Sequence, residues 1–141
     1  MGDRCYVEVT LRKEDKDGFI AIFGDPEDEG DTGEFVVTLG FPEVNYGGGS
    51  ELEEAREAGI QFYGWHSAGS SYDAAKFYTA EGTVAWIYQG MDNSGYILQG
   101  DTAEQRRKSY EVLEEQLAGL ETLQLKMNSA IYALAKEGQK T

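Results

Sequence analysis

Residues 101–140, DTAEQRRKSYEVLEEQLAGLETLQLKMNSAIYALAKEGQK, decide how the remaining chain is read. Helix formers dominate, proline is absent, and Gly119 is the one interior glycine before Gly138. Asp101 is placed to cap the first turn, with Glu104 as the reciprocal partner three residues on. Gly138 is a natural stop, flanked by Lys136 and Lys140 at the carbonyl end of the dipole. Ala103, Tyr110, Leu113, Leu117, Leu120, Met127, Ile131 and Leu134 follow a 3-4 spacing, which Arg106 and Gln124 interrupt. The spacing predicts a long C-terminal helix over 101–138.

A continuous helix of roughly 36 residues is a rod of about 54 Å. A folded body of about 100 residues has a radius of gyration near 13 Å, so the rod would overhang it. Its apolar seam then needs cover. A homodimer through residues 110–134 supplies it, with Gln124 fixing register. So does a helical hairpin bent at Gly119, or packing along the chain's own sheet.

The 141 residues suit a single domain, with residues 1–100 as the body and 101–138 as the helix or hairpin. A hydrophobic share of 40% with 17 aromatic residues is that of a globular protein and not of a disordered one. No apolar run approaches the roughly 20 residues that span a bilayer. The start, Met-Gly-Asp-Arg-Cys, lacks the apolar core of a secretory leader, and Tyr6 spoils a myristoylation pattern. A single cysteine makes no internal disulfide. Together these features predict a reducing, cytoplasmic setting. The net charge is −14, of which residues 1–60 contribute −11 and residues 61–141 contribute −3. Such a field repels nucleic acid and anionic membrane and attracts basic surfaces. Direct nucleic-acid binding is therefore not expected, despite the basic spot Arg106, Arg107 and Lys108. Plain solubility is the other reading of the acidity.

Along the body, residues 4–12 alternate, with Cys5, Val7, Val9 and Leu11 inward and Tyr6, Glu8, Thr10 and Arg12 outward. Cys5 reads as a buried small hydrophobe. Asp15 is placed to cap a short helix carrying Phe19, Ile22 and Phe23, although a strand over 18–23 competes. Residues 25–34 hold six acids, Asp25, Glu27, Asp28, Glu29, Asp31 and Glu34, and with Pro26, Gly30 and Gly33 predict a mobile loop. A strand begins at Phe35, turns at Gly40-Phe41-Pro42, and resumes at Val44 to Tyr46. After Gly47-Gly48-Gly49, Ser50 and Glu53 suggest a helix start, and Gly59 its end. Ile60 to Tyr63 reads as a strand, followed by a Gly/Ser-rich loop to Tyr72. Lys76–Ala80 and Thr83–Gln89 flank the hairpin signal Glu81-Gly82. A turn at Asp92–Gly95 and a strand at Tyr96–Gln99 lead to the long helix. The sum is α+β: an antiparallel sheet of about five or six strands covered by helices.

Three constellations invite chemistry. The loop Gly64 to Tyr72 holds the only histidine, His66, with Ser67, Ser70, Ser71 and Tyr72, a setting for a general base beside a serine and hence for a small enzyme or ligand-binding domain. No orienting acid stands at a specific spacing, and the nucleophile-elbow pattern is missing. The triple glycine before a helix resembles an anion cradle, but Glu51, Glu53, Glu54 and Glu57 would repel phosphate, so a tight turn is the better reading. Asp25, Glu27, Glu29 and Gly30 imitate the start of a calcium loop whose twelfth position falls on Val36, where a glutamate belongs. No dedicated metal site and no cofactor motif follows; one cysteine and one histidine do not build a zinc site.

The phrase Val44-Asn45-Tyr46-Gly47-Gly48, followed by Gly59-Ile60-Gln61-Phe62-Tyr63-Gly64, resembles small acidic proteins of phages and mobile elements, among them anti-CRISPR and anti-restriction inhibitors. The resemblance covers the middle third of the chain together with its size and charge. It implies action without catalysis, by occupying the nucleic-acid-binding surface of a host defence complex such as a CRISPR effector. Members share no common fold, so it carries over no functional residues. The sequence's own expectation is a non-enzymatic inhibitor docking on a basic surface of a nucleic-acid-processing protein. Its contacts are Asp25, Glu27, Asp28, Glu29, Asp31, Glu34, Glu51 and Glu54, with Tyr46 and Trp65 as aromatic anchors. A dimeric adaptor docking through its C-terminal helix is a further alternative.

Overall fold

The structure, a computed structural model, describes residues 4–30, 33–70, 72–90 and 95–128. The chain runs β1 (Arg4–Arg12), α1 (Lys16–Phe23), β2 (Asp28–Gly30), β3 (Val36–Asn45), α2 (Gly49–Glu57), β4 (Phe62–His66), β5 (Ala75–Ala80), β6 (Thr83–Tyr88) and α3 (Ala103–Met127). The strands form one antiparallel sheet in the order β2-β3-β1-β4-β5-β6. The fold is α+β, as the alternation and hairpin signals predict.

Side-chain alternation gives the sheet two faces. One presents Val7, Val9, Leu11, Leu39, Phe62 and Phe77, all buried, and α1 and α2 lie over it. Phe19 of α1 stacks on Phe23 and meets Phe62 edge-on at 5.8 Å, while Leu52 and Ala55 of α2 are fully buried. The opposite face carries Tyr63, Tyr78 and Ile87 and is covered by α3 through Leu113, Leu117, Leu120, Leu123 and Met127.

Several local expectations are corrected. Thr10 and Arg12 face away from the first core yet are buried, because α3 crosses their face. Thr10 bonds Thr38 hydroxyl to hydroxyl at 2.8 Å, and Arg12 donates to the Met127 carbonyl at 3.5 Å. Its guanidinium also lies over the Phe35 ring, so a cation closes the carbonyl end of α3. Part of the supposed mobile acidic loop is strand: Asp28 to Gly30 pair with Gly40 to Thr38. Strand β3 does not turn at Gly40-Phe41-Pro42. Its register against β1 slips between Cys5 and Val7, and this bulge admits Pro42 beyond the end of β2, where no ladder donor is needed. Asp15 stands at the N-cap of α1, as expected, but its side chain makes no capping bond there; Ser50 is not a cap, since α2 starts from Gly48 in the left-handed region. Residues Tyr96 to Gln99 are not a strand; the Ile97 N–H bond to the Tyr88 carbonyl and the Lys76 Nζ bond to the Tyr96 hydroxyl tie them to the sheet.

Helix α3 begins one residue later than expected. Thr102 is the N-cap, and it exchanges bonds with Gln105 in a capping box. The helix continues unbroken through Gly119, so no hairpin forms there. At about 1.5 Å per residue its 25 residues span about 38 Å. The stripe from Leu113 to Met127 packs on the chain's own sheet, whereas Tyr110 and Val112 are exposed. Ile131, Leu134, Lys136, Gly138 and Lys140 lie outside the described residues, as does most of the Asp92–Gly95 turn. No helix among the described residues is long and apolar enough to cross a membrane.

Candidate functional site

Helix α1 ends when the Gly24 amide closes on the Ile20 carbonyl, and the Glu27 amide then binds the Gly40 carbonyl of β3. These two bonds hold Asp25 and Glu27 against the last residues of β3 and the first turn of α2. A groove of about 620 Å³ results, with Phe23, Phe41 and Val44 as apolar lining and Asp25, Glu27, Glu43 and Glu51 as its carboxylates. The Phe23 and Phe41 rings lie 4.5 Å apart. Among the described residues Asp25, Glu27 and Glu51 enter no ion pair, and Glu43 meets Arg4 at 3.3 Å on the surface. Negative groups over an aromatic floor can attract cationic side chains, whose aliphatic stems can lie on the rings. Glu43 was not expected there. Reading β3 as one strand through Pro42 would have brought it beside Asp25 and Glu27.

The other predicted contacts are distributed elsewhere. Asp28 and Trp65 sit on the opposite face of the sheet, in a row running Asp28, Gly40, Glu8, Trp65, Lys76 across β2, β3, β1, β4 and β5. There the Trp65 indole donates to Glu8 at 2.6 Å, and its ring lies 5.3 Å from Tyr6. Burial, then the nearby Glu8 and Asp28 carboxylates, raise the Tyr6 phenol above its ordinary 10.0. Glu29 pairs with Lys16. Glu34 precedes the far end of β3, nine residues from Glu43 and so about 30 Å away along extended chain. Glu54 is exposed on α2, one turn from Glu51, and Asp31 lies outside the described residues. Of the ten contacts expected from the sequence, Asp25, Glu27 and Glu51 share the groove.

The histidine reading changes more. Gly64, Trp65 and His66 belong to β4 and not to a loop, and His66 is buried at 5% exposure. Its Nδ1 lies 2.8 Å from the Ser67 carbonyl, and burial lowers its pKa below the ordinary 6.5, keeping the ring neutral at pH 7. Ser67 continues the extended chain, so its hydroxyl points the other way and accepts the Tyr6 amide at 3.0 Å. His66 and Ser67 are thus not a base–nucleophile pair in this arrangement.

His66 instead closes the inner end of a small aromatic pocket of about 220 Å³, with Tyr46, Tyr72, Asp73, Trp86 and Tyr88 around it. The His66 ring meets Tyr72 at 5.6 Å and Trp86 at 5.7 Å, and Tyr46 meets Tyr72 at 6.0 Å. The glycine run shapes this wall. Gly47 has φ +71°, and a Cβ there would stand 2.8 Å from the imidazole. Tyr46 itself has φ +51°, the one positive value for a non-glycine among the described residues, at a cost of about 1 kcal/mol. The tight-turn reading of the glycines holds; their role is to bring Tyr46 and backbone against His66.

Comparison with known proteins finds no matching family model, no matching curated protein and no matching solved structure.

Proposed function

We propose that this chain is a non-enzymatic protein-binding inhibitor that occupies a basic, nucleic-acid-binding surface of another protein. The observation that carries the reading is the groove: Asp25, Glu27, Glu43 and Glu51, drawn from three separate segments, converge over Phe23 and Phe41. Asp25, Glu27 and Glu51, which meet no cation among the described residues, keep their field directed outward, where it attracts lysine and arginine side chains, and Glu43 is engaged only by the exposed Arg4. Spaced carboxylates on a rigid sheet edge can stand in for phosphates, and the chain's bulk then blocks the surface. The resemblance to anti-CRISPR and anti-restriction proteins suggests a host defence complex as the target and a phage as the source.

The test is binding to candidate nucleic-acid-processing complexes, measured with and without competing DNA. Raising salt from about 50 to about 500 mM shrinks the screening length from roughly 14 Å to roughly 4 Å and should weaken binding at least tenfold. Reversal of Asp25, Glu27 and Glu51 to lysine should do the same at fixed salt, while reversal of Glu34, at the other end of β3, should change little. Binding indifferent both to salt and to the groove reversals would refute the electrostatic reading.

A further inference from the structure

We infer that the pocket between Tyr46, Tyr72, Trp86 and Tyr88 is a cation cage for the side-chain ammonium of a lysine presented by a protein. A cation is attracted to the negative faces of aromatic rings when it lies within about 6 Å of their centres. Here Tyr46, Tyr72, Trp86 and Tyr88 line one cavity of about 220 Å³ together with Asp73, and His66 joins the rings into one wall by packing on Tyr72 and Trp86 while Tyr46 packs on Tyr72. Tyr46 and Tyr88 are exposed to 61% and 45%, so the rings can be reached from outside. Tyr46 is held there in a backbone conformation that tyrosine rarely adopts. The inner wall is a neutral imidazole, which presents no opposing charge at pH 7.

The acidic groove argues for a lysine of a macromolecule and not for a free amine. Asn45 and Glu51 line the groove while Tyr46 and Gly49 line the pocket, so the two cavities flank one turn, residues 45–51. A basic surface engaged by the four carboxylates would bring its next cation to the cage. Only this choice of source rests on the function proposed above; the cage geometry does not.

The experiment uses the full chain carrying Trp65→Phe, which leaves Trp86 as the sole indole reporter. It is titrated with N-acetyl-lysine methylamide, with the uncharged N-acetyl-norleucine methylamide, and with an oligolysine peptide. The expected result is a saturable change in Trp86 emission with the lysine compound, and binding of the norleucine compound at least about fivefold weaker. Tyr88→Ala and Tyr46→Asn should each weaken the lysine compound by about three- to tenfold, with circular dichroism unchanged. Asparagine is used at position 46 because it tolerates the left-handed backbone. Equal binding of lysine and norleucine compounds would reduce the cage to an apolar slot and overturn the inference. So would oligolysine binding that neither variant affects, and that outcome would leave the groove reading standing. Saturable entry of the lysine compound alongside no oligolysine binding at low salt would overturn the assignment to a protein's lysine in favour of a free amine, and would remove the groove reading.

Discussion

Glu53 stands where α2 meets the β5–β6 hairpin. Its carboxylate accepts the Val84 amide at 2.8 Å and the Thr83 hydroxyl at 3.3 Å, and it pairs with Arg56 at 2.9 Å. The Val84 bond first, then that from Arg56, lower its pKa below the ordinary 4.5. Its stabilisation is therefore present above pH 4.5 and is lost as pH falls through the lower folded value. His66, lowered by burial from 6.5, acts earlier: the unfolded chain takes up its proton first, so stability declines as pH drops below 6.5. Melting temperature against pH should thus bend twice. His66→Gln should flatten the upper bend and Glu53→Gln the lower one. Glu53→Ala should cost about 1–2 kcal/mol at pH 7, because it leaves the Val84 amide without its acceptor. A parallel pH profile for wild type and both variants would show that these two side chains do not control the acid response.

Helix α3 is held to the sheet by a close approach at Gly119. A Cβ there would stand 2.6 Å from the Tyr78 hydroxyl oxygen and 3.1 Å from its ring carbon, and Tyr78 is buried. Glycine in a helix interior is about 1 kcal/mol worse than alanine, yet overpacking costs about 1–3 kcal/mol. Gly119→Ala should therefore destabilise the protein by about 1 kcal/mol, and adding Tyr78→Phe should restore more than half of that. An additive double variant in urea melts would exclude the contact as the cause. The long helix was legible because its period persists over many turns, and the β5–β6 hairpin because Glu81-Gly82 signals it. Thr102 in place of Asp101 as cap, and Leu123 as a buried position, were missed by one step of register. The continuity of β3 through Pro42 was not legible, since only the bulge against β1 and the short reach of β2 permit it. For the same reason Glu43 was missed at the groove. His66 was read as loop because Gly64 and Ser67 surround it, whereas pairing with Val7 and Ala75 fixes it in β4.

At the scale of the whole molecule, −14 on 141 residues is a self-repelling surface. The exposed ion pairs Arg4–Glu43 and Lys108–Glu104 offset little of it, since such pairs contribute at most about 1 kcal/mol and are themselves screened. Added salt should then have opposite effects on folding and docking. Screening the repulsion should stabilise the isolated chain by about 1 kcal/mol, or roughly 3–5 °C in melting temperature, while weakening its hold on a basic surface. The variant Asp25→Lys, Glu27→Lys, Glu51→Lys separates these effects. Its smaller negative charge should leave stability equal or slightly higher and reduce its dependence on salt, although docking is lost. Thermal melts of wild type and variant across a salt series, run beside the binding measurement, read both quantities from the same samples. A melting temperature that falls as salt is added would mean that local pairing compensates the carboxylates. The outward field that the proposed docking requires would then be absent.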